Sequence, residues 1–182
     1  MRTKVSKALA TFCAALFLGF TVQAQTEDDK ILEGVQNPKM FETIDLATMD
    51  KELSTFTNLI MLSGLGVSME LADNHTLLVP TNEAFADMSI EQFAKLTDPK
   101  NKAQLLEFVK FHVIPKKVMA EDFEGEDIIS TDVEQEIAVD YNNGIVTVGG
   151  ARVIKADIEA SNGVIHIVNG VIQPSTDVVP GR

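Results

Sequence analysis

The sequence predicts an α+β domain in which helices come first and an antiparallel sheet or sandwich follows. Apolar residues recur at helical spacing up to about Pro115, and from Ile128 onward β-branched residues dominate with a period of two. The second half of the chain contains the Asn-Gly pairs Asn143-Gly144 and Asn162-Gly163. Such pairs are typical of tight turns between strands. Helices that precede antiparallel strands indicate an α+β fold.

The amino terminus predicts an export signal. Residues 1–24 begin with Arg2, Lys4 and Lys7, continue as an apolar run over 8–20, and end at Ala24, after which we expect cleavage. Thirteen apolar residues form a helix of about 20 Å, which is shorter than a bilayer core of about 30 Å. We therefore predict a secreted or periplasmic protein without a permanent membrane anchor.

The remaining chain is predicted to form one domain. We assign residues 25–37 to a polar spacer, 38–174 to the domain and 175–182 to a C-terminal tail. Loss of the signal takes the formal charge from −12 to −15, which repels phosphate backbones and argues against nucleic acid as a partner. Cys13 lies inside the signal, so the mature chain has no disulfide.

Short helices are predicted in the first half. Phe56, Leu59 and Ile60 share one face of a helix that Gly64 ends. Ser89 and Gln92 form a capping box, and Asp98-Pro99 begins a further helix. The buried side of this last helix is formed by Leu105, Leu106, Phe108 and Val109.

A strand over 76–79 interrupts the helices. Pro80 ends this strand, and Thr81 and Asn82 offer capping oxygens to a helix that runs through Phe85 and Met88.

The second half is predicted to form hairpins. Ile137–Asn142 and Ile145–Val148 flank one Asn-Gly turn. Residues 151–158 and 164–168 flank the second Asn-Gly turn, and a last strand, Val171–Ile172, ends at Pro174.

No pattern predicts catalysis. Gly66-Val67-Ser68 begins like a nucleophile elbow, but Glu70 stands where the tight turn requires glycine. The acidic run over 121–127 lacks the glycine and glutamate register of a calcium-binding loop. We predict no catalytic residue, no cofactor and no metal site, and the chain is not expected to be an enzyme.

The three histidines are predicted to be structural or exposed. His112 and His166 lie in apolar runs, where a neutral and hydrogen-bonded core imidazole is expected. His75 follows Asn74 in a polar turn and is expected to be exposed.

Three segments occur together in one order: 77–85 (LLVPTNEAF), 111–115 (FHVIP) and 162–172 (NGVIHIVNGVI). This order resembles the fasciclin domain family over about Pro38 to Pro174. The resemblance implies a wedge-shaped β-sandwich with flanking helices. It also implies structural roles for the matching residues, which are Pro80, Thr81, Asn82, Phe85, His112, Pro115, Asn162, Gly163 and His166.

Within these segments Asn162-Gly163 is expected to reverse the chain through positive φ angles, and His166 to link its strand to neighbouring backbone. Asp157-Ile158 matches a dipeptide implicated in receptor adhesion among animal relatives, and is our candidate interaction site. A strand end with a polar turn residue is the structural alternative for this dipeptide.

The resemblance implies a non-catalytic interaction or cell-adhesion module outside the cytoplasm. Its partner would be a protein or polysaccharide of the envelope or matrix. A carrier of a small apolar ligand, such as a pigment or lipid, is the alternative function, and a hydrolase or other enzyme is a third.

Overall fold

A computed structural model of the chain describes residues 30–65, 74–123 and 128–172. Four α-helices lie in these ranges: α1 (Thr43–Thr48), α2 (Ser54–Ser63), α3 (Ile90–Thr97) and α4 (Lys102–Phe111). Short 3-10 helices cover Pro38–Met40, Lys51–Leu53, Glu83–Phe85, Pro99–Asn101 and Ala120–Phe123.

Three of the predicted helix ends are confirmed. Helix α2 stops at Gly64, whose φ of 84° is available to glycine without strain. Ser89 accepts from the backbone of Gln92 and the Gln92 side chain accepts from the backbone of Ser89, both at 3.1 Å. Asp98 accepts from Lys100 N at 2.9 Å and so begins the 3-10 turn that leads into α4.

In the described ranges, seven strands form one sheet in the order β2-β1-β7-β6-β5-β4-β3. Strands β1 and β7 are parallel, and the other neighbouring strands are antiparallel. The strands are β1 (His75–Pro80), β2 (Val113–Ile114), β3 (Ile128–Ser130), β4 (Glu136–Asn142), β5 (Ile145–Val148), β6 (Ala151–Glu159) and β7 (Gly163–Val168).

The sheet bends so that its two ends approach each other. The first part of β6 pairs with β5, and the rest of β6 pairs with β7 across two register shifts. Beyond β3, Asp132 N donates to Val113 O of the opposite edge strand at 2.8 Å. The result is a nearly closed, sandwich-like sheet, which confirms the predicted α+β class.

Two apolar clusters cover the two faces of the central strands. Leu77 and Val79 of β1 pack in the cluster under the helices, whereas Leu78 between them packs in the cluster shared with β3, β4 and β5. Alternate residues of a strand point to opposite faces, so a strand buried on both faces is apolar throughout. Strands β1 and β7 are accordingly buried at every residue.

Three expectations about the secondary-structure elements and the spacer were wrong. Residues 83–85 form only a 3-10 turn, not a helix that continues through Met88. Val171–Ile172 is not a strand, and Ile172 N donates instead to a side chain, His112 Nε2. The predicted spacer is not solvated throughout, because Ile31 is buried in the helical cluster.

The predicted signal over 1–24 and the tail over 175–182 lie outside the described residues, as do residues 25–29 of the spacer. The domain boundaries therefore remain predictions.

Candidate functional site

His112 is a buried, neutral core residue, as expected. Its Nδ1 lies 2.9 Å from Phe108 O, which can only accept, so Nδ1 carries the hydrogen. Nε2 then accepts from Ile172 N at 3.2 Å. Burial lowers the pKa of His112 to about 4, against a smaller opposite effect of its hydrogen bond to Phe108. Both ring nitrogens are therefore used in holding the chain together.

His166 belongs to a chain of three hydrogen bonds that links β7, the bulge of β6 and the segment from Val118 to Ala120. Its Nε2 donates to Val118 O at 2.8 Å, and its Nδ1 accepts from Asp157 N at 3.2 Å. Asp157 Oδ1 accepts in turn from Ala120 N at 2.7 Å. Burial lowers the pKa of His166, opposed by the bond to Val118 and by the charge of Asp157.

His75 is buried, and the expectation that it is exposed was wrong. It is the first residue of the central strand β1, and only 1% of its surface is accessible. Thr43 Oγ1 lies 2.7 Å from its Nε2. The hydrogen-bonding need of the buried His75 ring is thus met by a residue of α1 that is distant in sequence. The polar neighbours of His75 in sequence had suggested an exposed ring instead.

Pro80 ends β1, and Thr81 begins the following 3-10 turn. Thr81 Oγ1 accepts from Ala84 N at 3.3 Å, so this residue is a cap as predicted. Phe85 is buried and meets Phe93 of α3 edge to face, with ring centroids 6.2 Å apart.

Asn82 does not cap the turn that follows it. Its Oδ1 accepts from Thr55 N at 2.8 Å, and its Nδ2 donates to Lys51 O at 2.8 Å. It therefore caps the start of α2 from another part of the chain, where its Oδ1 pairs with a backbone N–H that the helix itself leaves without a partner. The predicted local cap was wrong because the partner lies 27 residues away.

Asn162 plays a similar part at α1, where its Oδ1 accepts from Thr43 N at 2.9 Å. The expected positive φ angles are absent from Asn162 and Gly163. Gly163 is needed for space, because a Cβ atom there would lie 2.3 Å from His75 O. Pro115, the remaining signature residue, is exposed and directly follows β2.

Asp157 lies inside β6 at a bulge, not at a strand end. The pairs Lys155↔Ile167 and Ile158↔Ile165 leave one extra residue on β6. Asp157 takes this place with φ 61°, a left-handed conformation that aspartate tolerates better than most residues. The residue is exposed, while Ile158 is half-buried against the helical cluster.

A network of charges lies next to this bulge. Glu159 contacts Lys39 Nζ at 3.0 Å and Lys117 Nζ at 2.8 Å. The hydrogen bond from Lys117, and then that from Lys39, lowers the pKa of Glu159. Asp157 therefore lies in a surface of both charge signs, and two hydrogen bonds between backbone N–H groups and side chains hold it there.

Two clefts lie elsewhere, and neither was predicted. An apolar cleft of about 310 Å³ lies between α3 and α4, lined by Leu96, Gln104, Glu107, Phe108, Phe111 and Gln135. A polar cleft of about 290 Å³ is lined by Thr81, Glu83, Ala86, Asp87, Arg152 and Asn169. Arg152 is the only arginine between residues 3 and 181, and this is the sequence feature that could have drawn attention to the polar cleft.

Within residues 30–65, 74–123 and 128–172, no three His, Cys, Asp or Glu side chains converge as a metal site would require. The Gly66-Val67-Ser68 segment, Glu70 and residues 124–127 of the acidic run lie outside the described ranges. Across the described part of the chain no helix is both long enough and apolar enough to span a membrane.

Comparison with known proteins gives related chains of several kinds. Protein sll1483 of Synechocystis is 29% identical over 82% of this chain and 82% of its own length. Transforming growth factor-beta-induced protein ig-h3 of Sus scrofa is 34% identical over 60% of this chain, which matches only 16% of that longer protein.

Among solved structures, a FAS1 domain pair from the insect cell adhesion molecule fasciclin I superposes with a TM-score of 0.54 at 18% identity. The match covers 76% of this chain and 53% of that one, and it shows the fold. The profile of the Fasciclin domain matches residues 51–174, which include all three signature segments. The chain therefore belongs to the Fasciclin domain family.

Proposed function

We propose that this protein is a non-catalytic interaction or adhesion module that acts outside the cytoplasm, as a secreted or periplasmic domain after cleavage near Ala24. Its partner is a protein or polysaccharide of the envelope or matrix, with no role for nucleic acid or a permanent membrane anchor. Family membership supports the proposal, as does the fold shared with a molecule described as an insect cell adhesion molecule.

The exposed surface at Asp157, held by two hydrogen bonds, is the observation that carries this proposal. Two hydrogen bonds hold the residue: its N–H donates to His166, and one carboxylate oxygen accepts from Ala120. A side chain that is already ordered loses little conformational entropy when a partner binds. Ile158 adds a half-buried apolar contact beside the charge.

The histidines support a non-catalytic role. A general base needs a ring nitrogen that can reach a substrate. In His112 and His166 both ring nitrogens already bind the protein's own groups, and both rings are fully buried. These side chains stabilise the fold and take no part in turnover.

The proposal is tested by comparing matched charge-removing variants of the mature chain. Asp157→Asn keeps an oxygen for Ala120 N and tolerates the left-handed backbone, so it removes the charge with little change of shape. Asp140→Asn removes a charge from an exposed position on β4 and is the control. We expect immobilised protein to retain envelope or matrix fractions, and Asp157→Asn with Ile158→Thr to lose them while the control does not.

Equal retention by the double variant and the control would remove Asp157-Ile158 from the proposal. Failure of the unmodified chain to retain anything would remove the proposal itself.

The apolar cleft favours a second candidate function, a carrier of a small apolar ligand. Phe108, Phe111 and Leu96 form its apolar lining, and its volume of about 310 Å³ is at the lower end for ligand sites. Gln135 Nε2 donates to Glu107 Oε1 at 3.3 Å between two lining residues, which gives the cleft a polar rim. Native mass spectrometry of protein purified without detergent would show the ligand, and a spectrum of the bare chain alone would reject this function.

A further inference from the structure

The polar cleft lies where the ends of β1 and β7 meet the start of β6. Pro80 and Val168 are register partners at the end of the parallel pair, and Thr81 and Asn169 directly follow them. Arg152 is the second residue of β6. The cleft therefore has one wall from β6 and the end of β7, and another from the 3-10 turn after β1.

The first wall carries hydrogen-bond donors. Asn169 Oδ1 accepts from Arg152 N at 2.9 Å, and Asn169 N donates to Arg152 O at 3.0 Å. These bonds fix the two residues side by side and use the amide oxygen, which leaves the Asn169 NH₂ group as a donor. The guanidinium of Arg152 makes no ion pair with any carboxylate of the described residues.

The second wall carries acceptors. Glu83 and Asp87 are exposed, and neither forms an ion pair with a cation in the described part of the chain. Arg152 lines the same cleft, yet it does not neutralise them. Opposite charges thus line one cleft of about 290 Å³ without forming an ion pair with each other.

We propose that this cleft binds a small zwitterion of the amino-acid class, a molecule with one carboxylate and one ammonium group. The carboxylate is held by the Arg152 guanidinium and the Asn169 amide, and the ammonium by Glu83 and Asp87. A guanidinium binds a carboxylate through charge-assisted and often paired hydrogen bonds.

The charge of the whole protein favours this ligand class over simple ions. A mature chain of formal charge −15 repels an anion, and a simple cation leaves Arg152 without a partner. A zwitterion has no net charge, and it matches both walls at once.

Three probes of similar length separate these possibilities: ε-aminocaproate carries both charges, caproate only the carboxylate, and hexylamine only the ammonium. Each is titrated into the isotope-labelled mature chain, and the backbone amide signals are followed by NMR. We expect ε-aminocaproate alone to shift the signals of Thr81, Asp87, Arg152 and Asn169 in a saturable way.

Arg152→Gln is the matched variant, and Lys100→Gln, which removes one exposed positive charge in the 3-10 helix before α4, is its control. We expect Arg152→Gln to weaken ε-aminocaproate binding by about tenfold or more, as loss of a hydrogen bond to a charged group does, and Lys100→Gln to leave it unchanged.

Equal shifts with caproate or hexylamine, equal behaviour of the two variants, or absence of a saturable shift would each overturn the proposal. The result does not depend on Asp157, because Arg152→Gln leaves the proposed adhesion surface intact and is expected to retain envelope or matrix fractions.

Discussion

Acidification to about pH 5 should destabilise this domain through His112, before its carboxylates are protonated. The pKa of His112 is about 4 in the folded chain, against 6.5 for an ordinary histidine. Between these values the unfolded chain binds more protons than the folded one, so stability falls as the pH falls. His112 contributes its full stability above pH 6.5, and that contribution is lost completely below about pH 4.

The magnitude follows from the two pKa values. Lowering the pH from about 7.5 to about 5 costs about 2 kcal/mol of unfolding free energy through His112 alone. With a urea dependence of about 2 kcal/mol per molar, the unfolding midpoint falls by about 1 M. His166 adds an effect of the same sign, because burial also lowers its pKa.

Urea unfolding followed by circular dichroism at the two pH values measures this loss. His112→Gln keeps a polar side chain but does not titrate, so it should be less stable at neutral pH and lose about 2 kcal/mol less on acidification. An NMR titration of the His112 ring measures its pKa in the folded protein directly, without a variant. A pKa near that of a free histidine, or an equal loss in His112→Gln, would refute the reasoning.

Three further predictions concern stability, each measured by urea unfolding. Gly163→Ala should cost about 1–3 kcal/mol because its Cβ meets His75 O, and a cost no greater than that of a neutral surface substitution would show that the strand can move aside. Asn82→Ala should cost about 1–2 kcal/mol by removing the cap of α2, and should lower protection of the Thr55 amide in hydrogen exchange; unchanged protection would contradict the cap. Asp157→Ala should be about 1–2 kcal/mol less stable than Asp157→Asn, since alanine neither accepts from Ala120 N nor tolerates φ 61°, and equal stability would show that the bulge relaxes.

Local chemistry made several elements predictable. The capping box at Ser89 and Gln92 involves residues three apart, and the Asn143-Gly144 turn needs only the φ values of 52° and 80° that these residues accept. His112 was predicted to be buried because its neighbours in sequence are apolar. In each case the determining partners lie within a few residues.

Several of the wrong predictions share a different origin. The environment of His75 depends on Thr43, 32 residues away, and Asn82 and Asn162 cap helices from which they are 27 and 119 residues distant. The sequence alone does not show whether an asparagine caps the helix that follows it or a helix that is distant along the chain. The two clefts were missed for the same reason, because their linings come from residues far apart in the chain.

The hydrogen bond from Asp132 N to Val113 O has a consequence for behaviour at high concentration. An open edge strand is a template on which another chain can add, and repeated addition leads to aggregates. Here one edge strand has two residues and the other has three, and the loop beyond the longer one is bonded across to the shorter. Fibre growth by strand addition would first have to open this closure, so hydrogen exchange at Asp132 is a place to follow the earliest step of aggregation.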